Sequence, residues 1–347
     1  MTTMTSRDRV FTAFQGGVPD RVPVMEMFID PKVIDAISLG MSYEDFVDYA
    51  DMDVVTCLTM ADDPANINWV DRDRGLWRDK WGAQQILTQD VISIVTEPAR
   101  IETEADLDGY QPPDPSASPV HGYARKLVDR FKGKRAIAVI GEAAFAPSQY
   151  LRAGLANLMM DYVLRPEFVK KLARIGVEYH IELYRRLIAD GVEIVVLGDD
   201  YAGKTGTFMS PAHFEEFIVP GVKTVVQAVK DAGGYCIHHT DGDIWQILDM
   251  LISTGLDMLG PLEPAYMRLD EVRRHSGGRI GVMGNVDVDL LSRGTVEQVK
   301  AATKELIARV SPLGGHILSS GNTISSSVRA DNFMAMLEAS REYHLHS

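Results

Sequence analysis

Eight short apolar segments can be read along this chain, and nearly every one runs into a polar or acidic residue at its C-terminal end. The clearest are residues 194–200, which end in two aspartates, and residues 234–243, which carry two histidines and two aspartates. A continuous apolar run is typical of a parallel strand whose two faces are both covered by helices. In a (β/α)8 barrel the loops after the strands build the active site. The pattern therefore predicts a TIM barrel and a set of residues that meet at its mouth.

The length of 347 residues fits one large barrel with insertions. Helical patterns alternate with the predicted strands, which favours a parallel sheet, and eight strands favour a closed barrel. A first helix is predicted over residues 6–14, with Ser6 as its N-cap, and a long helical region over residues 147–189. Residues 64–100 depart from the alternation of strands and helices, and we interpret them as a β-hairpin insertion over the barrel mouth. We therefore predict a single domain, residues 1–347, that contains this insertion.

Composition argues against a nucleic-acid-binding, a secreted or a membrane-spanning protein. The net charge is −14, which disfavours a nucleic-acid partner, because phosphates call for a basic surface. The two cysteines, Cys57 and Cys236, lie in apolar segments and are expected to be buried thiols rather than a disulfide. The first nine residues lack an apolar signal-peptide region, and no apolar run approaches the roughly 18 residues of a membrane span. We expect a cytoplasmic protein with no membrane contact.

The densest polar cluster follows the fifth predicted strand. Alternation along a strand places His239 and Asp241 on one side and His238 on the other. Histidine and aspartate are both zinc ligands, but a catalytic zinc usually has three protein ligands, so a third would come from another strand end, such as Glu263 or Asn322. Three interpretations stay open: a hydrogen-bonded His–Asp pair that shapes the loop, a proton-transfer or substrate-binding role, and a metal site on His239 and Asp241.

Asp199 and Asp200 end the fourth predicted strand. Adjacent carboxylates point in opposite directions, so one can face the cavity while the other caps a loop or helix. A desolvated carboxyl group has a raised pKa and can act as an acid near neutral pH. We predict Asp200, His239 and Asp241 as catalytic residues. The predicted substrate-binding residues, for which capping, ion pairing, turn formation or core packing are the structural alternatives, are Glu142, Asp199, His238, Glu263, Asn285, Asn322 and Met25.

Several common motifs are missing from the sequence. It has no Gly-x-Gly-x-x-Gly loop, so no ready site for a dinucleotide. It also has no Gly-x-Ser-x-Gly nucleophile elbow and no Cys-x-x-Cys pair.

The strand-end motifs together resemble the uroporphyrinogen decarboxylase superfamily, over nearly the whole chain. The matching segments are residues 20–24, 198–203, 209–217, 238–243, 261–264, 283–287 and 317–322. The resemblance implies a (β/α)8 barrel and one of two activities. One branch decarboxylates uroporphyrinogen without a cofactor. The other comprises corrinoid-dependent methyltransferases, which move a methyl group to or from cobalt on a corrinoid protein.

The chain departs from both branches in informative places. The decarboxylases carry an Arg-rich segment after the first strand, whereas residues 26–33 here are acidic and apolar, with Glu26 and Asp30. A polycarboxylate would lose its ion pairs there. The best-known methyltransferases bind zinc through His-x-Cys and a later Cys. The resemblance aligns His239 and Asp241 with the first motif and Asn322 with the later Cys, and a carboxylate and an amide are poorer partners for zinc thiolate chemistry.

These departures favour a demethylating half-reaction over thiol methylation. The resemblance then implies a methyltransferase that passes a methyl group from a small methylated donor, such as an aryl methyl ether, to a partner corrinoid protein. Cobalamin or another corrinoid is the expected cofactor, carried by the partner, and zinc remains an alternative. The other hypotheses are a decarboxylase, which would need arginines such as Arg152 and Arg268 in the cavity, and a binding barrel without turnover. A homodimer is compatible with the sequence.

Overall fold

The computed structural model describes residues 4–59, 67–87, 93–97, 99 and 101–343. The strands are β1 Val54–Leu58, β2 Trp69–Asp71, β3 Leu76–Arg78, β4 Gln84–Leu87, β5 Ser93–Glu97, β6 Ala136–Gly141, β7 Ile194–Leu197, β8 Ala202–Gly203, β9 Gly206–Thr207, β10 Tyr235–His238, β11 Met258–Leu259, β12 Gly281–Met283 and β13 His316–Ile317. Seven of them are parallel and form the main sheet in the order β1-β6-β7-β10-β11-β12-β13, which is their order along the chain.

An eighth segment closes the barrel around Val24, at the position predicted for the first strand. Val24 pairs in parallel with Leu318 just after β13. On the other side, the Asp53 amide just before β1 donates to the Val24 carbonyl at 3.1 Å. Pro23 has no N–H to donate, which helps to keep this segment down to a single bridge. The predicted TIM barrel is confirmed.

Helices cover the outside of the barrel in chain order. They are α1 Ser6–Phe14, α2 Pro31–Ile37, α3 Tyr43–Tyr49, α4 Glu104–Gly109, α5 Val120–Phe131, α6 Phe145–Leu151, α7 Leu155–Leu164, α8 Pro166–Asp190, α9 Pro211–His213, α10 Val219–Asp231, α11 Leu248–Ser253, α12 Leu269–His275, α13 Val288–Arg293, α14 Val296–Val310 and α15 Ala330–Glu342. A π-helical turn, Phe214–Ile218, joins α9 to α10.

Two sequence expectations about helices need correction. The N-cap of α1 is Thr5, not Ser6, because the Thr5 hydroxyl accepts from the Asp8 amide and Asp8 returns a bond to Thr5, a capping box. The helical region predicted over residues 147–189 is three helices, α6 to α8, separated at Gly154, which has a φ of +98°, and at the residue before Pro166.

Alternate residues of the barrel strands fill its interior. The inner cluster takes Ala136, Ala138 and Ile140 from β6, and further residues from the other strands: Met25, Met27, Val54, Ile194, Val196, Ile237, Met258, Met283 and Ile317. Val10 and Ala13 of α1 belong to the same cluster, so this helix closes the N-terminal end of the barrel. The opposite end, where the strands finish, is left for the loops.

The segment between β1 and α4 forms four antiparallel strands, β2 to β5, rather than the single hairpin predicted. Residues 64–66, 88–92, 98 and 100 of the predicted insertion lie outside the described residues. Trp81 is buried against Tyr179 of α8, with ring centroids 5.0 Å apart. Lys80 Nζ donates to the Thr59 carbonyl, just after β1, at 3.3 Å. These contacts place the small sheet beside the C-terminal ends of the strands.

Other expectations concern the whole chain. Both cysteines, Cys57 and Cys236, are free thiols and buried. None of the helices in the described residues combines the length and apolarity that crossing a membrane requires. A cavity of about 390 Å³ opens at the N-terminal end of the barrel, beside the Arg7–Glu193 ion pair and Tyr235, and so at the end opposite the strand-end residues.

Candidate active site

The alternation that fills the barrel also decides which strand-end residues face its axis. On β6 the inward positions run through Ala138 and Ile140, and the next is Glu142. On β7 and β10 the inward positions run through Ile194 and Val196, and through Ile237. Their continuation is Gly198 and Asp200 after β7, and His239 and Asp241 after β10. The side chains predicted to act chemically thus share one side of their strands.

Asp200, His239 and Asp241 come together. The Nε2 atom of His239 lies 3.5 Å from Asp241 Oδ1 and 3.7 Å from Asp200 Oδ1. One possible ligand atom from each of the three residues lies within 4.8 Å of the others, which is close enough to hold a metal ion. His239 is buried, whereas about half of the Asp200 side chain and a third of the Asp241 side chain are exposed. The cluster is therefore reachable from outside the barrel.

The imidazole of His239 is oriented by the chain around it. Its Nδ1 lies 2.8 Å from the Pro261 carbonyl, and a carbonyl only accepts, so Nδ1 carries the proton. Nε2 is then the atom that faces the two aspartates. This arrangement is the one that fixes the tautomer of a metal-bound or proton-transferring histidine.

The two aspartates are themselves held in place. The Asn322 amide donates to Asp241 Oδ1 at 2.8 Å, and the Asp241 backbone N–H donates to Asp200 Oδ1 at 2.9 Å. Burial raises the pKa of Asp241; the charge of Asp200 adds to this rise, whereas His239 and the Asn322 amide oppose it. Asp241 therefore keeps a proton to higher pH than an exposed aspartate does.

Glu263 supports the loop that carries the cluster. Its Oε2 accepts from the Gly242 backbone N–H at 2.8 Å. Gly242 has a φ of +78°, and a Cβ atom there would lie 2.5 Å from the Gly203 carbonyl, so only glycine lets the turn approach the β8–β9 hairpin. Glu263 is thus next to the cluster, and its substrate contact stays a prediction.

Asp199 and His238 point the other way, away from the barrel axis. Asp199 is fully buried and accepts four backbone N–H bonds of 3.0–3.3 Å from residues 143–146, at the start of α6. His238 is fully buried and stacks on Tyr201, and burial lowers its pKa to about 3. These positions match the structural alternative for both residues, and their substrate-binding role stays a prediction.

Two further predicted substrate ligands are tied up elsewhere. Met25 is fully buried in the inner core, which is the structural alternative for that residue. Asn285 is buried, and its amide donates to the Met267 carbonyl at 3.0 Å. Both side chains support the fold around the mouth, and neither belongs to the cluster.

Glu142 is the remaining inward acid. It is 1% exposed, and neither carboxylate oxygen has a hydrogen-bond partner of normal geometry among the described residues. Burial raises its pKa to about 7, and the charge of Asp199 adds to this rise, whereas the charge of Lys80 and the nearby Tyr150 hydroxyl oppose it. An unpartnered buried carboxyl group is costly, so a ligand that would pair with it is the natural explanation.

Three residues near the mouth were not singled out from the sequence. Glu26 is fully buried and accepts from the Ser320 amide and hydroxyl, both at 2.7 Å, and burial raises its pKa to about 8. The sequence marked Glu26 only as an acid in an unexpected place. Lys80 and Tyr150 lie in segments with no strand-end pattern, so nothing in the sequence placed them near Glu142.

Comparisons with known proteins bear on the family and the fold of this chain. The family model for uroporphyrinogen decarboxylase (URO-D) matches residues 79–343. A uroporphyrinogen decarboxylase from Trichodesmium erythraeum is 26% identical over 253 residues, 70% of this chain and 68% of that protein. One from a Synechococcus species is 28% identical over 256 residues, 70% and 68% of the two chains.

Among solved structures, a methyltransferase from Methanosarcina mazei superposes with a TM-score of 0.76. It is 17% identical, and the match covers 98% of this chain and 99% of the other. At that identity the likeness shows the barrel fold. Since the family model spans well over half of the chain, the protein belongs to the uroporphyrinogen decarboxylase family.

Proposed function

We propose that this protein is a methyltransferase that takes a methyl group from a small methylated donor, such as an aryl methyl ether, and passes it to the cobalt of a partner corrinoid protein. The observation that carries the proposal is the Asp200–His239–Asp241 cluster. It places one oriented imidazole and two carboxylates at the open end of the barrel.

The difficult part of such a reaction is the departure of the donor oxygen. The partner's reduced corrinoid is a substrate, and its cobalt(I) supplies the nucleophile. As the methyl–oxygen bond breaks, both bonding electrons stay on oxygen, which develops negative charge. His239, with Nδ1–H held by Pro261, can present a proton on Nε2 to that oxygen, and the neighbouring aspartates stabilise the positively charged imidazolium.

A divalent cation among the same three side chains would serve the same end as a Lewis acid. Carboxylate and imidazole donors suit such an ion, and the Nδ1–H bond of His239 supplies the usual outer partner of a metal-bound histidine. Metal analysis of the purified protein, with and without chelation, decides whether a proton or a metal ion meets the charge on the leaving oxygen. About one ion per chain and loss of turnover on chelation would identify the metal, and unchanged turnover would identify the proton.

Asp200 and Asp241 are partly exposed, so a donor held beside them could be reached by a large methyl acceptor from outside the barrel. A corrinoid protein would approach from the open end of the barrel, against the loops after the strands and the small sheet β2–β5. The donor would lie between that partner and the inner core. The docking face, like the activity, is part of the proposal.

Decarboxylation is the second candidate, because the curated relatives that match are uroporphyrinogen decarboxylases. A polycarboxylate substrate needs free arginines, and the two candidates are already paired. Arg152 is bonded to Asp161, whose side chain is buried, and Arg268 to Asp270 and Glu271 on α12. These pairs favour the methyltransferase.

The test is an anaerobic assay. The protein is mixed with titanium-reduced cobalamin or corrinoid protein and a panel of aryl methyl ethers and methylamines, and the cobalt(I) absorbance is followed. We expect a decay that requires one donor class. Asp241→Ala should slow it by up to the 100- to 10,000-fold that proton transfer by a positioned side chain contributes, because His239 loses a carboxylate that stabilises its imidazolium.

Asp243→Ala is the matched control. Asp243 lies in the same loop, but its carboxylate accepts from the Trp245 backbone N–H, so most of the turnover should remain. If no donor is demethylated, or if Asp241→Ala is as fast as the unchanged protein, the proposal is wrong. A porphyrinogen assay would then test decarboxylation, and corrinoid-protein binding without transfer would indicate a binding barrel.

A further inference from the structure

At the inner face of the mouth, a glycine lies between Glu142 and His239, and, its chain neighbours aside, only the Gly141 carbonyl oxygen among the described residues lies within 4 Å of the point where its side chain would begin. Strand register aligns Ala138 with Ile194 and Ile194 with Tyr235, so the inward residues of β6, β7 and β10 lie in shared layers. The ladder continues one step beyond the strands, because Gly198 donates to the Gly141 carbonyl and His239 to the Leu197 carbonyl, both at 2.7 Å.

Two layers up from Ala138, the same register gives Glu142, Gly198 and His239 in a row. Adjacent strands lie about 4.8 Å apart, so the Cα atoms of Glu142 and His239 are separated by roughly 10 Å. The residue between them has no side chain. The layer beneath is Ile140, Val196 and Ile237, all buried and apolar. The row therefore bounds a gap with an apolar floor, an acid on one side and the cluster on the other.

The acid at the far side of the gap is poorly satisfied by the described part of the chain. Neither oxygen of Glu142 accepts a hydrogen bond of normal geometry there, although the Tyr150 hydroxyl lies close enough to lower its pKa. A buried acceptor left unpaired costs about 1–3 kcal/mol, and more when it is charged. Lys80 is near enough that its charge lowers the pKa of Glu142 against the effect of burial. An acid beside a cation suits a neutral group that both donates and accepts, which is what a hydroxyl group does.

We propose that Glu142 accepts a hydrogen bond from a hydroxyl group on the methyl donor, so that the enzyme selects methoxyphenols over aryl methyl ethers without a free hydroxyl group. This inference rests on the proposed demethylase function and names its substrate class. The aromatic ring lies over Gly198, on the apolar floor. The methoxy oxygen then faces His239 while the hydroxyl group faces Glu142. Glu142 is a specificity residue here, and the acid that meets the leaving oxygen remains in the cluster.

Donor binding without corrinoid tests the inference apart from turnover. Calorimetry compares 2-, 3- and 4-methoxyphenol with methoxybenzene, which lacks only the hydroxyl group. A hydrogen bond to a charged acceptor predicts that at least one isomer binds about 10- to 100-fold more tightly. Glu142→Leu should abolish the preference, and Glu142→Gln, which keeps an acceptor oxygen, should retain part of it. Equal binding to the unchanged protein, or a preference that survives Glu142→Leu, overturns the inference.

Two further variants sharpen the test. Glu26→Gln changes the other fully buried glutamate at a strand end, whose oxygens are both bonded to Ser320, and should leave the preference unchanged. Gly198→Ala places a methyl group in the gap, 3.2 Å from the Gly141 carbonyl, and should weaken the binding of all four aromatic compounds. If Gly198→Ala binds them as before, the ring lies elsewhere and the inference is wrong.

The role of Glu142 and the demethylase function can each be refuted without the other. Methyl transfer from methoxybenzene and the methoxyphenols at equal rates and affinities would refute the role of Glu142 and leave the demethylase function standing. A hydroxyl preference that depends on Glu142, in a protein that transfers no methyl group, would refute the demethylase function and leave a phenol-binding site.

Discussion

Replacing Asp199 and Asp200 one at a time by asparagine should give opposite results, although the residues are neighbours. Asp199 is fully buried, with three backbone N–H groups bonded to Oδ2 and one to Oδ1. Asp200 has about half of its side chain exposed, and its backbone contact is the Asp241 N–H. We expect Asp199→Asn to lower stability and Asp200→Asn to lower turnover.

The size of the stability effect follows from the bonds of Asp199. An asparagine keeps one oxygen, so at least one of the four N–H groups loses its acceptor and meets an NH2 group instead. A hydrogen bond to a charged group contributes about 1.5–3 kcal/mol, and the negative charge also favours the N-terminus of α6. Burial raises the pKa of Asp199 against these four bonds, so desolvation offsets the gain from the charge. The loss expected for asparagine is then that of a buried N–H group left without an acceptor, about 1–3 kcal/mol, against less than about 1 kcal/mol for Asp200→Asn.

Urea unfolding followed by circular dichroism measures the first effect, and the cobalt(I) decay measures the second. A domain of this kind is stable by about 5–15 kcal/mol, so the expected loss is a large shift of the midpoint. Equal losses of stability for the two variants, or a larger loss for Asp200→Asn, would refute the assignment of one carboxylate to capping and the other to the cavity.

Three other perturbations follow from buried groups. Burial raises the pKa of Glu26 from 4.5 to about 8, so folding favours its protonated form. The stability that this gives is present below pH 4.5 and is lost as pH rises through 8. Glu26→Gln mimics the protonated acid, so in unfolding experiments it should lack that part of the pH dependence and be more stable than the unchanged protein near pH 8; parallel curves of stability against pH for the two proteins would contradict this. Asp53→Ala leaves Arg21 and Arg9 without their buried partner and should cost about 3–5 kcal/mol. Asp45→Ala removes an exposed ion pair and should change the stability far less in the same denaturation assay. Trp81→Ala removes a buried ring packed on Tyr179 and should cost about 3–5 kcal/mol in thermal unfolding, and a loss below 1 kcal/mol would mean that the small sheet is not anchored there.

The barrel could be predicted from the sequence because its strands are buried on both faces and end in polar residues. The alternation within the same strands also separates Asp200 from Asp199 and His239 from His238, once the inward positions Val196 and Ile237 are known. That knowledge comes from the packing, because a continuous apolar run does not say which of its residues face inward. The sequence alone therefore grouped Asp199 and His238 with their inward-facing neighbours.

Contacts that join distant segments could not be predicted. Lys80 reaches the mouth from an antiparallel sheet outside the βα rhythm, and its effect on Glu142 depends on where that sheet packs. The bond of Asn322 to Asp241 joins the ends of β13 and β10, which are not adjacent in the sheet, and that of Glu263 to Gly242 joins the ends of β11 and β10. Only the barrel geometry brings each pair of atoms to 2.8 Å. In each case the sequence shows a residue type that can make the bond and not the partner that it bonds.

The charges that face the barrel axis bear on the choice between the two activities. The inward strand-end residues identified after β6, β7 and β10 that carry ionisable side chains are three acids and an imidazole: Glu142, Asp200, Asp241 and His239. A second carboxylate brought within about 4 Å of one of them is repelled by roughly 1–4 kcal/mol, depending on how far water screens the pair. A substrate with several carboxylates would meet this repulsion at more than one strand end, while a neutral methyl ether meets none. The same acids are useful to a demethylase, because a proton or a cation held among them is aimed at the oxygen that must leave.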